Sequence, residues 1–105
     1  MAILFKNNAA SILKVGLNVS SVTMAVVDPS VFPMISENSG DTFKLTLVGD
    51  DVLEIIEVTS VYDDATYGTA YRIKRGQEGT SILRWPSGTR VEMRITAGAL
   101  QSFFS

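Results

Sequence analysis

Residues 42–61 read TFKLTLVGDDVLEIIEVTSV. Phe43, Leu45 and Leu47 alternate with Thr42, Lys44 and Thr46. A period of two puts one set on each face of a pleated strand, whereas a helix needs apolar residues three and four apart. Gly49-Asp50-Asp51 then breaks the run with turn-favouring residues. Val52–Val61 follows as the longest apolar-rich stretch, and its Ile55-Ile56 doublet interrupts strict alternation. The doublet predicts a β-bulge or burial on both faces.

The same period extends outward in both directions. Leu13, Val15, Leu17 and Val19 alternate with Lys14, Gly16 and Asn18, and Val22, Met24 and Val26 alternate with Thr23 and Ala25. Ser20-Ser21 reads as the turn between them, so residues 12–27 form a hairpin or two successive short strands. Thr69–Arg75 is another strand, with Tyr71 and Ile73 on one side and Arg72 and Lys74 on the other. Val91, Met93 and Ile95 alternate with Arg90, Glu92 and Arg94, and Ile3–Phe5 adds a short edge strand. Pro29 and Pro33 bar regular ladder pairing because proline lacks the donor. Asp63-Asp64 to Gly68, Gly76–Gly79 and Pro86-Ser87-Gly88 are further breaks. Thr96–Phe104 allows a short helical turn, with Thr96 as N-cap and Leu100, Phe103 and Phe104 on one face. The expected fold is one all-β domain over residues 1–105. It is a small barrel or sandwich of six to eight short antiparallel strands.

Composition removes whole classes of chemistry. The 105 residues include no histidine and no cysteine. Zinc fingers, Ser–His–Asp triads, Cys–His pairs and disulfide frameworks each need one or the other. Hydrophobic residues at 46% supply one packed core without covalent staples. No apolar run approaches the roughly 18 residues of a spanning helix, and MAILFKNNAA at the start does not read as a secretory signal, so no membrane partner is expected. The net charge of −2 disfavours generic nucleic-acid binding. Acidic residues crowd positions 28–64 and basic residues crowd positions 72–94. That asymmetry fits acidic strands paired with basic strands in one sheet, or a bipolar surface docking on copies of itself.

Four groups of residues invite a functional reading. Asp50, Asp51, Glu54, Glu57, Asp63 and Asp64 are rich in carboxylates. They lack the D-x-[DN]-x-[DN]-G spacing of a calcium loop, and Glu54 and Glu57 face opposite ways on a strand. Solvated turns and strand faces are the favoured reading, with calcium or a catalytic carboxylate pair as the alternatives. Arg75-Gly76-Gln77-Glu78-Gly79-Thr80 lacks the P-loop spacing and precedes no helix, so its glycines read as the positive-φ positions of a compact loop. There Gln77 and Glu78 satisfy local backbone donors. Trp85, the only tryptophan, caps a barrel end as core, or it serves as an exposed ring that stacks on a sugar or anchors a partner. Phe103-Phe104 is a candidate docking anchor. No cofactor or metal is expected.

Arg75-Gly76-Gln77-Glu78-Gly79-Thr80, then Trp85-Pro86-Ser87-Gly88-Thr89-Arg90-Val91-Glu92, then Arg94-Ile95-Thr96-Ala97-Gly98-Ala99-Leu100 form an extended motif. It resembles a signature of tailed-bacteriophage virion proteins, found in N-terminal modules of tail fibre proteins and in small stand-alone structural proteins. Glu54-Ile55-Ile56-Glu57-Val58-Thr59 and the opening from Phe5 to Val26 are similar to the same module. Val61–Tyr71 is longer than the turn expected before the arginine, so that hairpin is expected to protrude. No receptor-binding shaft follows in these residues. The resemblance therefore implies a non-enzymatic virion component, made in the bacterial host cytoplasm, acting as a tail or baseplate adaptor or fibre-attachment module. The alternatives are a capsid-decorating cement protein and a carbohydrate-binding module for the host surface. Expected partners are other virion proteins and copies of itself. Trp85, Leu100, Phe103 and Phe104 are the expected anchors, and Arg84, Arg90 and Arg94 the expected charged contacts.

Overall fold

In the computed structural model, residues 9–35 and 40–94 are described. Strands β1 (Ala10–Ile12), β2 (Thr23–Met24), β3 (Phe43–Val48), β4 (Leu53–Asp64), β5 (Gly68–Gln77) and β6 (Arg90–Glu92) form a single antiparallel sheet. Their order is β1-β6-β3-β4-β5-β2. The sheet curls until its two edges meet at a bridge between Leu13 and Val26. There the Lys14 N–H donates to the Ala25 carbonyl at 2.9 Å and the Val27 N–H to the Ile12 carbonyl at 3.0 Å. The closure removes the open edge that an exposed strand would offer to aggregation. The all-β architecture expected from the two-residue period is thus the one observed. The Ile3–Phe5 strand and the helical turn near Thr96 lie outside the described residues.

One stripe of each strand fills the barrel. Phe43, Leu45 and Leu47 of β3 face Val58, Ile56 and Glu54 of β4 in register. The three β3 residues, Ile56 and Val58 are fully buried, alongside Leu13, Val26, Phe32, Tyr71 and Val91. Ile56 points inward while Ile55 is only half-buried, so alternation in β4 is intact and the doublet is not buried on both faces. The β4–β5 ladder does carry register shifts. One lies opposite the doublet, where two steps on β4 (Ile55 to Glu57) span three on β5 (Lys74 to Gln77). The extra residue is therefore on β5, around Arg75-Gly76.

The residues 12–27 behave as a hairpin only at its base. Past Lys14 and Ala25 the arms diverge: Leu17 pairs with Trp85, and the Val22 carbonyl accepts from the Ile73 N–H at 2.8 Å. Leu13 and Leu17 are buried, but Val19, inside the Asn18–Ser21 turn, and Val22, just after it, are exposed. On the outer face Glu57 lies between Lys44 and Lys74 in register. That is the acidic-against-basic strand pairing read from the charge distribution.

The β4–β5 hairpin is long, yet its tip is tied down. Asp64 Oδ1 accepts from the Thr66 and Tyr67 N–H groups, and Lys14 Nζ donates to the Tyr67 carbonyl at 3.0 Å. Further along it, the Arg72 guanidinium sits 4.6 Å from the Tyr62 ring centroid.

Tyr71 packs edge-on against Phe43 with ring centroids 5.7 Å apart. Its buried hydroxyl has no hydrogen-bond partner among the described residues. Burial, with a smaller contribution from the Asp28 carboxylate, pushes its pKa up to about 12. Because the folded state favours the neutral phenol, the associated stability is complete below the unfolded value of about 10 and is lost as pH rises towards 12. Tyr71→Phe is expected to stabilise the domain by about 1 kcal/mol at neutral pH, since it deletes an orphaned hydroxyl. It is also expected to remove part of the alkaline loss, which urea unfolding at pH 7 and pH 11 checks.

Candidate functional site

At one end of the barrel the turn at 18–21, the turn at 49–52 and the loop at 76–86 converge. Glu54 occupies the first inward position of β4 and is completely buried. Arg75 follows Tyr71 and Ile73 on the inward face of β5, and its side chain is 4% exposed. Neighbouring strands thus aim opposite charges into the same apolar space. Arg75 Nε donates to Glu54 Oε2 at 2.7 Å and Nη2 to Oε1 at 3.0 Å, a bidentate pair.

The carboxylate is further saturated. Oε2 accepts from the Gly76 N–H at 3.0 Å. Oε1 accepts from the Leu83 N–H at 2.9 Å and the Trp85 indole N–H at 3.0 Å. The guanidinium is equally committed. Nη1 donates to the Asn18 and Ser21 carbonyls at 2.7 and 3.0 Å, and Nη2 also donates to the Leu83 carbonyl at 2.6 Å. All five donors that an arginine owns are engaged. The single pair therefore ties β4, β5, the 18–21 turn and the 83–85 segment together.

Burial alone would raise the Glu54 pKa. The hydrogen bonds from Arg75, the Leu83 N–H, Trp85 and the Gly76 N–H overcome it and hold the carboxyl below the usual range. A carboxylate held ionised at neutral pH, with its lone pairs all taken, is not placed to serve as a general acid or base. Glu54 thus leaves the group of solvated acids in which its sequence neighbours placed it. The remaining acids do not gather: Asp50, Asp51 and Asp63 are exposed, Glu57 faces two lysines, and Asp64 caps its own turn. Among the described residues no three of them approach closely enough for a metal.

The 75–80 loop has the structural role expected for its glycines. Gly76 has φ +59°, and a Cβ there would lie 3.0 Å from Ile82 Cγ1 and 3.1 Å from the Thr80 carbonyl oxygen. Its left-handed conformation is what turns the Gly76 N–H towards Glu54. Thr80 Oγ1 accepts from the Ile55 N–H at 3.0 Å and donates to the Gln77 carbonyl at 2.8 Å. The Glu78 carboxylate pairs with Lys44 Nζ at 2.9 Å. Gln77 donates to the Arg75 carbonyl at 3.2 Å and satisfies an acceptor. Gly76→Ala is expected to cost roughly 1–3 kcal/mol, measured as a shift of the urea midpoint, because it combines a strained φ with two close contacts.

Trp85 is 4% exposed, with its N–H bonded to Glu54 and its ring edge beside Gly49. Of the two readings open in the sequence, the structure takes the core cap; the ring does not project as an anchor. Arg84 is exposed and, with Gly16, Leu17, Asn18, Trp85 and Pro86, lines an open groove of about 580 Å³. Arg90 and Arg94 do not join it. Both turn to Glu92, at 3.4 and 2.8 Å, and the Arg94 hydrogen bond holds the Glu92 carboxyl low, against a smaller opposing effect of burial and with further help from Arg90. Exposed pairs of this kind contribute little stability. Tyr62 and Tyr67 sit on the β4–β5 hairpin around a smaller recess, apart from the groove at Trp85. The expected anchors Leu100, Phe103 and Phe104 lie outside the described residues. No protein-family model matches the chain, and no curated protein matches it significantly.

Proposed function

We propose that this chain is a non-enzymatic structural component of a tailed-phage virion, working at the tail or baseplate as an adaptor or fibre-attachment module. The observation that supports this reading is where the motif residues go. Arg75, Gly76, Thr80 and Trp85, with Glu54 before them, build a buried polar framework instead of a reactive site. Such a network holds three loops in fixed positions at one end of a small barrel. The product is a rigid surface, and a rigid surface serves recognition because little ordering entropy is lost on docking.

Quantitative mass spectrometry of purified particles tests the proposal. Presence of the chain at fixed stoichiometry supports it, with tens of copies indicating the tail and hundreds the capsid. Absence from mature particles overturns it. Phe103→Ala combined with Phe104→Ala is expected to leave the barrel folded while lowering incorporation at least several-fold, as read by far-ultraviolet circular dichroism and particle-associated protein. Unfolding of the double variant would show that the two rings are ordinary core.

A further inference from the structure

The end of the barrel closed by Trp85 carries an unusual amount of exposed aliphatic surface. Val19 (58% exposed), Val22 (62%), Val52 (53%), Leu53 (41%) and Ile82 (46%) all lie in the loops that converge there or directly beside them. Close approaches join them into one region. The Val52 side chain and the Trp85 ring both flank Gly49, Ile82 packs over Gly76, and the Arg75 guanidinium holds the turn bearing Val19. The groove beside Trp85, about 580 Å³ with Arg84 and Pro86 on its rim, opens in the same region. Its volume is ample for an aromatic side chain. The Asp50-Asp51 pair, exposed on the neighbouring turn, gives the region an acidic border.

At the far end of the β1–β6 pair the Met93 N–H donates to the Ala9 carbonyl at 2.8 Å, so positions 9 and 93 lie side by side. Residues 95–105, ITAGALQSFFS, contain no charge and include Ile95, Leu100, Phe103 and Phe104. Residues 1–8, MAILFKNN, combine Ile3, Leu4 and Phe5 with Lys6. In the sequence, each of these two apolar stretches has a basic residue in or beside it, Lys6 and Arg94. The groove at the Trp85 end has Arg84 on its rim and the exposed Asp50-Asp51 pair on the neighbouring turn.

We infer that the Trp85 end is a docking face for a second copy of this chain, whose segment 95–105 lays a phenylalanine into the groove. The inference deepens the assembly reading and rests on it. The contact is heterologous, joining unlike ends, so it propagates head-to-tail or closes into a ring. The exposed aliphatic side chains alone offer on the order of a few hundred Å². A specific interface needs roughly 1,200–2,000 Å², which an extended segment laid across the groove helps to supply. Rim and flank are separate on one molecule, so defects in them complement each other.

Sedimentation equilibrium of the full chain provides the test. The wild type is expected to exceed its 11.4 kDa monomer mass progressively with concentration. Val52→Lys combined with Ile82→Lys, and separately Phe103→Ser combined with Phe104→Ser, are each expected to weaken association at least tenfold with the Trp85 emission maximum unchanged. An equimolar mixture of the two variants is expected to form a 1:1 pair that grows no further, because only one rim and one flank remain intact. A wild type that stays monomeric up to about 1 mM overturns the inference, as does a mixture that forms no pair. Should a flank variant fail to fold, amide hydrogen exchange in the wild type decides. Protection of residues 49–53 and 80–86 must rise with protein concentration, and protection independent of concentration would mean that the segment covers its own groove. A monomer that is nonetheless present in particles sinks this inference alone; absence from particles sinks the virion reading and leaves self-association to be judged by its own result.

Discussion

Glu54→Gln is expected to destabilise the domain by about 3–5 kcal/mol, most of the stability of a barrel this size. The substitution keeps shape and removes charge. It leaves the Arg75 guanidinium buried without its counter-ion. It also turns an amide N–H₂ towards donors from Arg75, Gly76, Leu83 or Trp85, which need an acceptor. Replacing both charges with apolar residues is not expected to rescue the fold. Buried ion pairs can often be exchanged for hydrophobic ones. Here, however, the exchange strands the Gly76 and Leu83 N–H groups and the Asn18, Ser21 and Leu83 carbonyls. The pH dependence carries the same signature. A depressed folded-state pKa means that the contribution of Glu54 is complete above the unfolded carboxylate value and lost as pH falls through the folded one. The wild type therefore loses this component in acid, whereas Glu54→Gln has none to lose. Urea titrations across pH 3–7 separate the two.

Trp85→Ala is expected to cost about 3–5 kcal/mol, because a large ring leaves a cavity at the barrel end that the clamped loops cannot refill. Trp85→Phe is expected to cost only about 1–2 kcal/mol. It keeps most of the packing and removes one donor from a carboxylate that retains four others. The gap between the two variants apportions the residue's role between packing and hydrogen bonding. If Trp85→Ala were tolerated while self-association vanished, the ring would belong to the interface and not to the core. Thermal unfolding combined with sedimentation distinguishes these outcomes.

Strand periodicity made the barrel legible. Phe43, Leu45 and Leu47 declared their inward face, and Tyr71 and Ile73 declared theirs. The same parity carried a signal for the ion pair. Glu54 continues the series Ile56 and Val58, and Arg75 continues Tyr71 and Ile73, so two opposite charges fall on inward positions. Proximity to Asp50 and Asp51 in the chain hid this, because an acid among acids reads as surface. What periodicity could not supply was the alignment of β4 with β5. The extra residue near Gly76 shifts the register there, and both the Arg75 side chain and the Gly76 N–H reach Glu54. The core position of Trp85 was among the sequence readings, but its pairing was hidden for a related reason. Its partner Leu17 lies 68 positions away, and pairing at that separation depends on how the sheet closes. The exposure of Val19 followed from the Asn18–Ser21 turn, which takes it off the strand ladder.

A side-chain-resolution reconstruction of intact particles brings framework and function into one experiment. The expected density shows this barrel at a fixed number of sites, with Glu54, Arg75 and Trp85 enclosed and the groove beside Arg84 covered by protein. Particles that are complete and infectious without the chain, or a barrel attached with that groove open to solvent and a small molecule held elsewhere, would contradict it.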